Sequence, residues 1–187
     1  MDTAVYFIEN LTLRVWAWSI WPRLVRGRLH RGPRVTHCYV MDGSSLALLL
    51  AKASAGTAGV SVQRLRFRME DVRDQEGWLS RLRVAYWDLN EAQRRATSEP
   101  IFRQALESEP LARRFPLFLA KNVATVGNFD GDTMERALFK VQVCLWKARQ
   151  ETGQHVAPVL FLERRPWLNV IASYAGQRGV TVIPVLP

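Results

Sequence analysis

Lysine is scarce in this chain: Lys52, Lys121, Lys140 and Lys147 are the only four among 26 basic residues in a sequence of 187. The net charge of +9 is therefore an arginine charge. A guanidinium is a planar fork that matches phosphate and carboxylate. Such a composition suits anionic partners, among them sugar nucleotides, lipid phosphates and nucleic acid, and it equally suits a solvated basic surface. Cysteine is scarcer still. Cys38 and Cys144 lie inside apolar runs without a partner at metal-ligand spacing, and they read as buried, reduced thiols of a cytoplasmic protein. His30, His37 and His155 have no carboxylate or cysteine at ligand spacing, so no metal site is expected. Asp130-Gly131-Asp132 falls short of a calcium loop and suits helix capping instead. No apolar run reaches the about 18 to 20 residues that span a bilayer, and no basic start with a small-residue cleavage site opens the chain. The expectation is a protein neither secreted nor transmembrane. Gly-x-Gly-x-x-Gly, Gly-x-x-x-x-Gly-Lys-Ser/Thr and Gly-x-Ser-x-Gly are all missing. Neither a nucleotide fingerprint nor serine-hydrolase chemistry is indicated, and no cofactor is implied.

What is present is 48% hydrophobic, enough for one good core. Val156-Ala-Pro-Val-Leu-Phe-Leu162 is a short continuous apolar run. Pro166 to Arg178 carries a helical stripe, Gly179 suits a helix stop, and Val180-Thr-Val-Ile183 is β-branched. That is a strand, a helix and a strand, and strands apolar on both faces belong in a parallel sheet covered by helices. Upstream, Asp132-Thr-Met-Glu135 has capping-box spacing and opens a helix to about residue 151. Val35 to Met41 reads as a strand, Ser44 to about Ala55 as a helix and Val60 to Met69 as a further strand. Between the two units, Pro100, Pro110 and Pro116 break a helical stretch from about 78 to 126 that is too apolar to remain solvated. The expected fold class is α/β: a mainly parallel, Rossmann-like sheet flanked by helices, with a helical insertion at about 78–126. Residues 35–187 form that domain, preceded by a basic, tryptophan-rich segment at 1–34.

Two loops stand out as candidate ligand sites, because open α/β sheets bind ligands beyond the carboxyl ends of their strands. Asp42-Gly43-Ser44-Ser45 follows a strand and opens a helix, whose first N–H groups can meet an anion. Gly43 permits close approach, while Ser44 and Ser45 can donate to phosphate or a sugar hydroxyl. The simpler alternative is a turn with Ser44 as the helix N-cap. Glu163-Arg164-Arg165-Pro166-Trp167 follows a strand at the same predicted edge. There the arginines can hold phosphate and Glu163 can act as a base, or the loop is a charged connection with Pro166 at the first helical position. Arg64, Arg66 and Arg68 share one strand face and suggest a basic strip on an edge strand. Nucleic-acid binding normally adds exposed aromatics between the basic residues, and this strip has none.

The amino-terminal segment sets Trp16, Trp18 and Trp21 among aliphatic residues and follows them with Arg23, Arg26, Arg28, Arg31 and Arg34. With Arg14, residues 1–34 hold six arginines against Asp2 and Glu9, a balance of +4. Tryptophan beside arginine suits a segment lying in the interface of an anionic membrane. The other possibility is that the tryptophans pack on the sheet as core. Pro22 is expected to interrupt any helix here.

The stretch from Leu160 through Glu163-Arg-Arg-Pro-Trp167 to Gly179-Val-Thr-Val-Ile-Pro184 resembles the strand, helix and strand of bacterial surface-polysaccharide biosynthesis proteins of the two-domain GT-B glycosyltransferase type. The Asp42-Gly-Ser-Ser turn is similar to the first strand-to-helix turn of their amino-terminal domains. The resemblance implies an acceptor-side domain holding a sugar nucleotide or lipid-linked glycan acceptor, in the cytoplasm or peripheral to the inner face of the membrane. Such enzymes bind the donor with a second Rossmann-like domain, so a further domain or partner chain is expected. No catalytic residue follows from the resemblance. The competing expectation is a non-enzymatic module that docks on a membrane or a partner protein.

Overall fold

A run of five residues with both faces apolar, Ala4 to Ile8, forms the middle of the sheet. The computed structural model describes residues 3–29, 33–65, 84–96, 98–100, 103, 104, 107, 134–152, 156–165 and 167–186. Within them five strands, β1 (Thr3–Leu11), β2 (Arg34–Gly43), β3 (Ser61–Arg64), β4 (Val156–Glu163) and β5 (Thr181–Val185), lie in the order β3-β2-β1-β4-β5. Every pairing is parallel. Parallel strands need crossovers, and helices supply them: α1 (Leu13–Val15), continuous with a π-helical turn (Trp16–Ile20) and α2 (Trp21–Leu29), then α3 (Ser45–Thr57), α4 (Tyr86–Ala96), α5 (Met134–Thr152) and α6 (Leu168–Gly176). The expected α/β, Rossmann-like class is the one observed.

The two faces of the sheet carry separate cores. Val5, Phe7, Tyr39, Leu160 and Leu162 pack beneath α4, α5 and α6. Tyr6, Ile8, Cys38, Val40 and Phe161 pack beneath the helices from Leu13 to Thr57. The period-two alternation of strand side chains produces this division, which is why β1 must be apolar in both phases. β5 tolerates Pro184 because, among the described residues, it is an edge strand with no further neighbour to require a missing N–H.

The largest departure from the sequence reading is β1. No strand is expected before residue 35, yet Thr3–Leu11 is the central one, paired with β2 on one side and β4 on the other. The segment set apart as 1–34 thus begins inside the sheet. Pro22 does not end the helix either. The turn before it widens, with the Trp21 N–H reaching back to the Trp16 carbonyl. That relieves the crowding a proline ring imposes on the preceding turn. Most of the 78–126 insertion, together with Arg66, Arg68 and the Asp132 cap, lies outside the described residues.

Cys38 and Cys144 are both fully buried, one in each core layer. Burial pushes the Cys38 thiol up to about 12 and raises that of Cys144 well above its ordinary value. A thiol held neutral is a poor nucleophile. Both cysteines should therefore resist Ellman's reagent in the native protein and react on unfolding, each reporting the opening of its own layer.

Candidate functional site

The strand order reverses direction of travel at β1: the chain winds outward through β2 and β3, then crosses back to β4 on the other side. The carboxyl ends of β1 and β4 bound the crevice where such sheets take their ligands. An open cleft of about 550 Å³ lies at this edge, lined by Glu9, Asn10, Asp42, Glu163, Arg165 and Lys140 together with Arg136 and an apolar set of Met41, Leu65, Phe139 and Val143. α5 runs antiparallel to the strands as the crossover into β4, which brings its first turns to this edge and hangs Arg136 and Lys140 over it.

Glu9 is the hub. It lies near the carboxyl end of the central strand and is only 4% exposed. Arg165 grips it with two bonds, Nη1 to Oε2 and Nη2 to Oε1, each 2.9 Å. Lys140 Nζ donates to the same carboxylate, and the Glu163 main-chain N–H adds a bond of 2.9 Å. A buried carboxylate persists only with partners of this kind. Next to it, Asn10 Nδ2 donates to Glu163 Oε1 at 3.0 Å, and Arg165 Nη2 stands 3.9 Å from Glu163 Oε2.

Of the residues singled out in sequence, Asp42, Glu163 and Arg165 meet at this cleft, because β2 and β4 point the same way on either side of β1. The others do not line it. Ser44 is the N-cap of α3, its Oγ accepting the Ala47 N–H at 3.0 Å, and Ser45 is exposed in the first turn. Arg164 is exposed, its main-chain N–H tied to the Val185 carbonyl. Gly43 permits a close approach, as expected, but the atom that approaches is main chain: Leu11 of β1. The sequence reading also paired Arg164 with Arg165 as phosphate holders. Arg165 is instead turned inward onto Glu9, a carboxylate absent from that reading. The signal for Glu9 and Asn10 was present in the polar pair that closes the run Ala4–Ile8. Lys140 and Arg136 gave none, since only packing decides which helix face overhangs the sheet edge.

The tryptophans divide. Trp16 is buried, against the membrane-facing role, and its Nε1 donates to Ser54 Oγ of α3 at 3.0 Å. Trp21 is partly buried against the same core. Trp18 is 79% exposed. Arg23 bonds the Ser19 carbonyl and lies over the Phe161 ring, while Arg26 is exposed.

Together these features define a doubly wound α/β protein with a polar crevice at the reversal point of its sheet. The turn from β1 into the first helix is a single residue, Thr12, whose Oγ1 caps the Val15 N–H at 3.1 Å. It leaves no glycine-lined cradle for a pyrophosphate. No family model, curated protein or solved structure matches the chain. Among the described residues no helix is long and apolar enough to cross a membrane.

Proposed function

We propose that this chain is a surface-glycan assembly protein, the acceptor-side domain of a GT-B-like glycosyltransferase, and that the crevice between β1 and β4 takes its sugar or anionic ligand. The observation that carries the reading is the convergence of Asn10, Asp42 and Glu163, from three neighbouring strands, on one cleft with an apolar floor. Carboxylate and amide groups accept and donate to sugar hydroxyls, and Met41, Leu65 and Phe139 suit the C–H face of a sugar ring. Lys140 and Arg136 supply positive charge for a phosphate. Glu163 is the candidate general base, a carboxylate at the end of β4 whose Oε1 accepts from Asn10. In this reading the donor sugar nucleotide belongs to a second domain or a partner chain. The acceptor is lipid-linked and the protein works in the cytoplasm, at the inner face of the membrane.

Titration calorimetry with hexose 1-phosphates and short oligosaccharides, the chemistry of the acceptor side, tests it. Glu163→Gln and Asn10→Ala are each expected to weaken binding at least about tenfold, the scale of losing a hydrogen bond to a charged or buried group. Ser44→Ala and Arg164→Ala should bind as the wild type does. Absence of binding by every probe, or equal affinity in the Glu163 and Asn10 variants, overturns the proposal.

A further inference from the structure

α3 is built inside out. Its alanines, Ala47, Ala51 and Ala55, face the sheet at a four-residue spacing and are fully buried. Three of its four leucines, Leu46, Leu49 and Leu50, share the opposite face and are 58%, 65% and 46% exposed, while Leu48 packs partly against the core. An amphipathic helix of a soluble protein turns its larger apolar residues inward. The helix beside it does the same in part, with Leu13 and Trp18 exposed. The Trp16–Ser54 hydrogen bond ties the two helices together, so these side chains belong to one layer on one face of the sheet. Large exposed apolar groups gathered on one layer in this way mark a docking surface.

The charge of that layer identifies what docks. The helices of that layer, residues 13–29 and 45–57, contain five basic residues and no acidic one, a balance of +5 out of the +9 of the whole chain. The rest of the sequence, with far more residues, balances at +4. Arg14, Arg23, Arg26 and Lys52 are exposed on the same helices as Leu13, Trp18 and the α3 leucines, and no acidic residue lies on any of them. On the opposite face α4 and α5 mix Asp88, Glu91, Glu135 and Glu151 with Arg94, Arg95, Arg136, Lys140, Lys147 and Arg149. Among the described helices, positive charge unmixed with acid is thus found on one face of the sheet only.

We infer that the outer layer of α1, the π-helical turn, α2 and α3 docks on an anionic lipid bilayer. Leucine and tryptophan side chains enter the boundary between headgroups and acyl chains, and arginine and lysine meet the lipid phosphates around them. A nucleic acid fits less well, because three of the exposed apolar groups are aliphatic residues of α3 that offer bases no stacking surface. The cleft opens at the strand ends and not on this layer, so docking and ligand binding are separable.

Co-sedimentation of the full chain with vesicles tests the inference, using phosphatidylcholine alone and with about 30 mol% phosphatidylglycerol. The wild type should pellet with the anionic vesicles and stay soluble with the neutral ones. Leu49→Ser combined with Leu50→Ser, and separately Trp18→Ala, should each reduce partitioning by about tenfold or more. Their thermal unfolding should match the wild type, since the altered side chains face solvent. Glu163→Gln should pellet normally, which separates this result from the fate of the crevice. Failure of the wild type to pellet with anionic vesicles overturns the inference. So does unchanged pelleting of the leucine variant, or retention of an oligonucleotide or an acidic protein in place of vesicles.

Discussion

Replacing Glu9 by alanine is expected to cost about 3–5 kcal/mol, the range found when one member of a buried ion pair is removed and its partner is left uncompensated. Stabilities of whole domains are about 5–15 kcal/mol, so a marginal fold is lost outright. The loss is large because the two cations differ in their escape routes. The Lys140 side chain is 21% exposed and can turn to water, whereas Arg165 is 9% exposed and held between β1 and β4. Its guanidinium then remains buried, with the Glu163 carboxylate 3.9 Å away. With urea m-values of about 1–3 kcal/mol/M, the midpoint should fall by more than about 1 M. Glu9→Gln keeps the shape but removes the charge and should fall between the two. Replacing the pair together, Glu9→Leu with Arg165→Met, should recover much of the loss, as apolar substitution of whole buried ion pairs does elsewhere. A shift under about 1 kcal/mol for Glu9→Ala would mean that the network is solvated and that Glu9 does not organise the sheet edge.

The second large effect is expected at Gly43. Its φ is +142°, a conformation that side-chain-bearing residues rarely adopt. A Cβ built there lies 2.4 Å from the Leu11 carbonyl oxygen, 2.7 Å from the Leu11 nitrogen and 2.8 Å from its Cβ. Two of the three obstacles are main chain of the central strand and cannot swing aside. Backbone strain of about 1–3 kcal/mol and a comparable overpacking cost put Gly43→Ala at about 2–6 kcal/mol. The same change at Gly59 or Gly179 meets open space, at φ of +69° and +78°. Each should cost only the about 1–2 kcal/mol of a left-handed residue. Equal effects at all three positions would show that contact with Leu11 is not what limits Gly43. The damage also reaches the crevice, because Leu11 and Gly43 follow Asn10 and Asp42 in the same register. Ligand affinity should fall along with stability.

Both predictions concern residues whose importance arises from their neighbours, which explains how unevenly the chain could be read. The strands at 34–43 and 156–163, the helix at 134–152 and the last helix and strand were legible because each repeats its own period over many residues. β1 was not, although Ala4–Ile8 is as apolar as any of them, because the tryptophans and arginines that follow dominate the composition of the amino terminus. In Asp42-Gly43-Ser44 every residue belongs to the turn, yet only Asp42 faces the cleft. Ser44 is occupied by the helix it starts, and Gly43 by the strand beside it.

By itself the sequence determined the alternation of strands and helices, the parallel sheet and the edge at which the cleft lies, because periodicity and the right-handed crossover rule act locally. Which residues meet at that edge was decided only in three dimensions. Glu9 and Arg165 are 156 positions apart and have no spacing that links them. Nothing in the period of α3 says whether leucine or alanine faces the sheet, since both are apolar. Only the packing of that helix on the sheet put the alanines inside.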